Sequence, residues 1–358
     1  MLTDNAYLHG KPQSCGLLRS KMSDFKVFEK LPFVPCGEGE HLFIHIRKTG
    51  TNTLFVARQL AKYFNVKEQL VSYAGLKDRF AVTEQWFGVH VPGKEVFDLS
   101  DLVIEGVEIL SYQRHNKKLR TGALLGNHFE IVLREVTAIK ALTERWHNIV
   151  VAGVPNYFGE QRFGIEGGNI EKAISLFSGH KVKDKKKRGI YLSAARSSIF
   201  NQVINQRILN QRFNDLAAGD VLMLAGTQSV FLVNEVDAKL EQRLQDKDVD
   251  ITAPMWGSGE LMTLLEPLAL EQEVANNNSA LSLGLPRFGL KQERRRIRLT
   301  VTETDIELLN TENKIHNVKV KFFLPAGCYA TTVLRELLAY EDMTTRIDKR
   351  TINDNSRL

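Results

Sequence analysis

Asp78 is the residue most able to do chemistry in the stretch "YAGLKDRFAVTEQW", Tyr73 to Trp86. It follows a glycine and sits between Lys77 and Arg79. Nearby cations favour the ionised form of a carboxylate. An ionised carboxylate can attack an electrophilic carbon or take up a proton. A solvated ion pair on a surface turn uses the same residues, so composition alone leaves both readings open.

Other chemistries have less support. His41 and His45 are four apart and share a face if they lie on a strand, but no third ligand is near them in sequence, so a metal is not expected. The turn "GEGEH", Gly37 to His41, brings two carboxylates ahead of that strand and reads as a polar turn. No Ser or Cys has an adjacent base, and no P-loop or GxGxxG follows a strand, so no nucleotide cofactor is expected. The three cysteines, Cys15, Cys36 and Cys328, form no CxxC pair and suggest neither a disulfide framework nor a thiolate zinc site.

These groups need a scaffold, and 358 residues with 43% hydrophobic content suffice for two domains with real cores. No basic-then-apolar leader opens the chain, and no apolar run approaches a membrane span, so a reducing cytoplasm is the expected location. "HLFIHIRK" (41–48), "QWFGVHV" and "NHFEIVLREV" read as strands, with Phe129, Ile131 and Leu133 on one face. "NTLFVARQLAKYF" reads as a helix capped by Asn52, with Leu54, Ala57, Leu60, Ala61 and Phe64 inward. "GVPNYFGEQRFGIEGG", 153–168, is dense in glycine and marks a domain boundary. Beyond it a helix is expected around "YLSAARSSIFNQVINQRIL" and another over "NEVDAKLEQRLQDKDVD". "VANNNSALSLGLPRFG" reads as loop. "VKVKFFLPAG" then reads as a strand, "YATTVLRELLAYE" as a helix, and "TRIDKRTINDNSRL" as a loosely held tail.

Lys plus Arg exceeds Asp plus Glu by 48 − 42 = 6. The excess is clustered. Six cations lie between Lys181 and Arg188; "RHNKKLR" adds Arg114, Lys117, Lys118 and Arg120; "RRRIR" adds Arg294, Arg295, Arg296 and Arg298. Solvated faces and a phosphate-binding surface are both open readings.

"GLKDRFAVTEQ" resembles the signature of the TruD family of pseudouridine synthases. So do "YLHGKPQSCGLLRS", "DFKVFE", "GVPNYFGEQRFG", "LSAARSSIFN" and "LPAGCYATTVLREL". The resemblance runs from Tyr7 to about Tyr340 and thins between about Gly219 and Asn310. It implies an α+β fold: a pseudouridine-synthase-type catalytic domain with a mixed, largely antiparallel sheet, residues 1–152 plus 310–358. An inserted α/β TRUD domain, 153–309, would form one wall of an RNA cleft.

The resemblance also implies the activity, isomerisation of uridine 13 of tRNA to pseudouridine, without cofactor, metal or obligate protein partner. It places Asp78 as nucleophile or base and Arg19, where the family carries Lys or Arg, as its cationic partner. Phe129 would stack the base, Asn127 would contact the nucleotide, and Phe25 and Tyr329 would line the substrate site. By pattern alone, the three aromatics are core residues and Arg19 a surface charge. A tRNA-binding or chaperone module without chemistry is the alternative, though a pure binder has no need of the Asp78 carboxylate. A metal-dependent RNA hydrolase fits less well, for want of a ligand cluster.

Overall fold

The computed structural model describes residues 5–93, 96–312 and 315–344. The chain divides into two compact units. The first, the sheet unit, comprises Pro12–Val150, Val301–Gly327 and the chain from Leu337. The inserted unit comprises the chain up to Lys11, Val151–Thr300 and Cys328–Glu336.

Seven strands open the sheet unit: β1 (Cys15–Leu18), β2 (Phe25–Lys30), β3 (His41–Thr49), β4 (Val71–Tyr73), β5 (Val82–His90), β6 (Val107–His115) and β7 (Gly126–Val136). With strands Thr302–Glu312, Ile315–Pro325 and Ala339–Asp342 they form one ten-stranded sheet. From one side the order is Thr302–Glu312, Ile315–Pro325, β7, β2, β5, β3, β6. Pairing is antiparallel except for β2 with β5 and β1 with Ala339–Asp342. The sheet is therefore mixed and largely antiparallel.

On β3, Leu42, Ile44 and Ile46 are buried on one face, against helix α1 (Thr53–Tyr63). Asn52 caps α1, its Oδ1 accepting from Leu54 N at 2.9 Å. The buried stripe of α1 is Val56, Ala57, Leu60 and Ala61, whereas Leu54, expected inward, is 44% exposed. On β7, Phe129, Ile131 and Leu133 are buried, opposite Phe322, Val320 and Val318 of Ile315–Pro325. The close approach of these two strands needs Gly126, since a Cβ there would lie 2.2 Å from Leu324 O.

After helix α2 (Ile139–Ala152) the inserted unit places helices α3 (Gly168–Phe177) and α4 (Lys185–Leu209) with a four-stranded sheet. Their core includes Phe158, Phe200, Ile204, Leu222 and Ile251. The stretch expected as loop at "VANNNSALSLGLPRFG" is mostly helical: Leu265–Asn277 runs into Ser279–Ser282 and a 3₁₀ turn at Leu285–Phe288. Buried Val274, Leu281 and Leu285 join the core there, so tertiary packing overrides the weak helix preference of the asparagines. Residue 310, the expected point of return, lies within Thr302–Glu312. The expected helix over "YATTVLRELLAYE" ends at Leu337, and Ala339–Asp342 is a strand on β1. The stretch expected as a tail lies outside the described residues. No helix among the described residues is long and apolar enough to cross a membrane.

Candidate active site

The loop carrying Asp78 is held from beneath by buried polar groups. Lys48, at the end of β3, is fully buried, and its Nζ donates to Asp78 O at 2.9 Å and Thr51 O at 2.8 Å. Thr53 Oγ1 accepts from Lys77 N at 3.1 Å and donates to Gln85 Oε1 at 2.9 Å. Gln85 Nε2 donates to Gly75 O at 3.2 Å. The loop backbone is thus tied to β3, α1 and β5, which gives Gln85, the glutamine after the aspartate in the sequence string, a structural role.

The two neighbouring cations turn away from Asp78, as diverging adjacent side chains must. Lys77 Nζ pairs with Glu29 Oε1 at 3.0 Å, and the other oxygen of Glu29 accepts from Trp86 N at 2.9 Å. Arg79 Nε donates to Gly50 O at 3.3 Å. Asp78 itself is half-buried. Among the described residues, no hydrogen bond or ion pair reaches its carboxylate, which leaves its oxygens available.

Burial, opposed by the charge of Asp78 and assisted by that of Lys77, pushes the Lys48 ammonium down to about 8. Sequence reasoning missed this residue. On β3 it continues the inward series Leu42, Ile44, Ile46 at period two, and that alternation was the available signal.

Arg19 is 7% exposed and sits at φ 58°, a left-handed conformation costly for a non-glycine residue. Its turn is fixed by Asp24, which accepts from Lys21 N at 2.9 Å and is gripped by Arg134 at 2.7 and 2.6 Å. Arg19, expected as the cationic partner of Asp78, makes its bidentate pairing with Asp342: Nε donates to Oδ1 at 3.1 Å, and a second nitrogen donates to Oδ2. Burial lowers the Arg19 pKa, but the Asp342 hydrogen bond and charge, then the charge of Asp78, raise it to above its ordinary value. Asp78 therefore lies within electrostatic reach of Arg19 without being its hydrogen-bond partner.

Arg19 also lies over the Phe25 ring, 5.4 Å from its centroid, and Phe25 meets Phe129 edge-on at 6.2 Å. The structure therefore brings Arg19, Phe25 and Phe129 together, with Asp78 within electrostatic reach. Phe129 is 7% exposed and stacks on Phe322 at 5.3 Å, so most of its ring is already covered by protein. Asn127, two residues earlier, has a buried Oδ1 with no hydrogen-bond partner, as have Ser20 Oγ and Thr83 Oγ1. Buried polar atoms are seldom left unpaired without a reason such as an absent ligand.

Tyr329 belongs to the inserted unit. Its hydroxyl accepts from Arg162 at 2.5 Å, and its ring meets Phe158 edge-on at 6.2 Å. Arg295 lies 4.3 Å from the Phe158 centroid and donates to Asn156 Oδ1 at 2.8 Å. The string "NYFGEQRFG" thus builds a cationic, aromatic cluster around Tyr329.

The basic runs separate sharply. "RRRIR" is consumed internally: Arg294 grips buried Glu271, Arg296 pairs with Asp250 at 3.0 Å, and Arg298 donates to Ala152 O and to Asn214. Lys181–Arg188 instead stays largely exposed. Asp184 is the N-cap of α4 and accepts from Lys186 N and Lys187 N. Among the described residues, no group of three or more His, Cys, Asp or Glu is placed to hold a metal. His45 lies stacked on Trp86 and His41 against His90.

The chain resembles known proteins along nearly all its length. The family model for tRNA pseudouridine synthase D (TruD) matches residues 2–172 and 166–337. The chain is 74% identical to the tRNA pseudouridine synthase D of Colwellia psychrerythraea, over 99% of this chain and 98% of that one. It is 46% identical to that of Aeromonas hydrophila, over 96% of each. A crystal structure of a chain assigned to tRNA pseudouridine synthase D (TruD) in Methanosarcina mazei superposes with a TM-score of 0.70. That comparison covers 93% of this chain and 96% of the other at 21% identity, and shows the shared fold. A match of this extent to the family model, with relatives this similar, makes the chain a member of the TruD family.

Proposed function

We propose that this protein isomerises uridine to pseudouridine in tRNA, at position 13, in the cytoplasm, with Asp78 as the reacting carboxylate. The observation that carries the reading is the state of Asp78. Its carbonyl is held by Lys48 and the loop before it by the Thr53–Gln85 pair, through Lys77 N and Gly75 O, while its carboxylate is left without a hydrogen bond or ion pair among the described residues.

The reaction breaks the bond from uracil N1 to ribose C1′, turns the base and forms a bond from C5 to C1′. N1 gains a proton and C5 loses one, so atoms and electrons balance with no redox partner. Asp78 serves as nucleophile at C1′, as in retaining glycosidases, or as base toward the ribose 2′ proton. The uridine must leave its stack to be reached. Phe129, which keeps a small exposed part of its ring with Phe25 edge-on beside it, would meet the base, and the unpaired Asn127 Oδ1 would offer an acceptor to a uracil or ribose donor. Lys48 acts as a positioning residue for Asp78.

The test uses purified protein and tRNA labelled with tritium at C5 of uridine. Turnover releases tritium to water, and the modified position is then mapped by reverse transcription after carbodiimide labelling. Release from position 13 is the expected result. Absence of release from any tRNA would overturn the reading.

A further inference from the structure

An open cleft of about 620 Å³ lies in the sheet unit at the end of β3 remote from Lys48. Phe33, His115, Lys117, Lys118 and Arg120 line it. His115 pairs with His41 across the β3–β6 ladder. His41 and Lys48 are seven residue steps apart on β3, so at ~3.3 Å per residue the cleft lies about 23 Å along the strand from the support of Asp78.

Three features set this cleft apart from an ordinary solvated loop. First, Lys117, Lys118 and Arg120 are exposed, and none forms an ion pair among the described residues. The arginines of "RRRIR" are by contrast bonded internally. Second, the loop that presents them is fixed. Leu119, 1% exposed, packs with Phe43 and Ala74 as an anchor, and Gly122 N donates to Ala74 O at 2.7 Å. The turn "GEGEH" closes against it: Gly39, at φ +108°, leaves no room for a Cβ beside Asn116 Cα. Third, the cleft holds an aromatic pair. Phe33 lies parallel to the His115 ring at 4.9 Å and 6°. Cys36 N donates to His115 Nδ1 at 3.3 Å, which orients the imidazole.

We propose that this cleft is an RNA subsite away from the reacting uridine: Lys117, Lys118 and Arg120 take backbone phosphates, and an unpaired base stacks on Phe33. Cations with no carboxylate partner beside a half-buried aromatic are what a single-stranded nucleotide needs. A volume of this order accommodates one nucleotide. The loop runs from the cleft to Asn127 at the start of β7, and on the way its Gly122 bonds Ala74, at the foot of the Asp78 loop. One RNA strand lying along it would meet both places. The proposal rests on the tRNA reading above and adds to it a place where affinity is gained without chemistry.

The test compares wild type with three variants, Phe33→Leu, Phe33→Trp and the triple Lys117→Gln/Lys118→Gln/Arg120→Gln. Readouts are tRNA affinity by fluorescence anisotropy over a salt series and single-turnover rate at saturating tRNA. The triple variant should bind more weakly, with its log–log salt slope shallower by about 2 to 3. Phe33→Leu, which still fills the packing space, should weaken binding between about five- and about a hundred-fold. Phe33→Trp, which keeps a stacking face, should bind as wild type does. All variants should keep the wild-type rate at saturation. If Phe33→Leu binds like wild type, or the triple variant keeps its salt slope, the subsite is refuted while tRNA binding by wild type stands. A loss of rate at saturation would place these residues in the chemistry and also refute it. A wild-type protein that does not bind tRNA overturns both the subsite and the functional reading.

Discussion

Replacing Lys48 by Met tests the support of Asp78 and has a magnitude that can be worked out. Burial lowers the Lys48 pKa from 10.5 to about 8. At about 1.36 kcal/mol per pH unit, that is about 3 kcal/mol by which the folded state disfavours the charged amine. The folded pKa lies below the unfolded one, so between about 8 and 10.5 the unfolded chain holds a proton that the folded chain has lost. Stability rises with pH wherever the unfolded state binds more protons. Lys48 should therefore add about 3 kcal/mol of stability to wild type as pH rises through that window. Lys48→Met has no such group. Near neutral pH it relieves the buried charge but strands Thr51 O and Asp78 O, at roughly 1–3 kcal/mol each. The two effects oppose there, and the deficit of the variant should then widen with pH. Urea unfolding of both proteins near neutrality and above the lysine range measures the difference, in which all other titrations cancel. Parallel pH dependences would refute the account of Lys48 as a buried, charge-bearing clamp. In turnover, a shift of the loop by about 1 Å should lower kcat by up to about a hundred-fold with tRNA affinity kept.

Asp78→Asn should abolish tritium release by several orders of magnitude while tRNA binding persists; turnover within about tenfold of wild type would remove Asp78 from the chemistry. Phe129→Leu should slow the single-turnover rate more than it weakens tRNA binding, and a variant that is merely less stable but fully active when folded would make Phe129 a core residue alone. Neutralising Lys185, Lys186 and Lys187 should weaken tRNA binding and flatten its salt dependence, with the rate at saturation unchanged. Because these lysines oppose the dipole of α4 in its first turn, the same change should raise thermal stability slightly, so a variant that is more stable and binds equally well marks the run as a solvated face.

Local pattern made the framework readable. β3, β5 and β7 follow their alternation, and Asn52 caps α1 as its type and place predict. The aspartate loop stood out in the sequence because its string is specific. Its surroundings did not, because the partners are remote in sequence. Arg19 and Asp342 are 323 positions apart, and Lys48 reaches the Asp78 carbonyl across 30. The basic runs show the same limit. Nothing local distinguishes Arg294, which grips Glu271 in the core, from Lys118, which stays in solvent. The asparagine-rich stretch misled for a related reason: its helix is set by Val274, Leu281 and Leu285 packing inward, a contribution that propensity does not contain.

The pair Arg19–Asp342 raises a question about how the carboxylate of Asp78 is kept reactive. A carboxylate gripped bidentately by Arg has its lone pairs committed. Here the grip falls on Asp342, so Arg19 bears on Asp78 through its field alone. Arg19→Gln would take the arginine from half-buried Asp342, leaving it the hydrogen bonds from Thr344 N and Oγ1, and should lower stability. The double variant Arg19→Gln/Asp342→Asn strands no charge and should recover most of that stability. The two readings of Arg19 then separate. If it serves the chemistry through its charge, the double variant regains the wild-type melting temperature but not the wild-type single-turnover rate. If Arg19 does no more than hold Ala339–Asp342 on β1, rate and stability return together, and the electrostatic role is lost. The measurement is a double-mutant cycle in both quantities at one pH. Asp342→Asn alone completes it: freed from its partner, the guanidinium can swing toward Asp78, and a rate below that of wild type at unchanged tRNA affinity is expected, since a carboxylate held bidentately attacks less well.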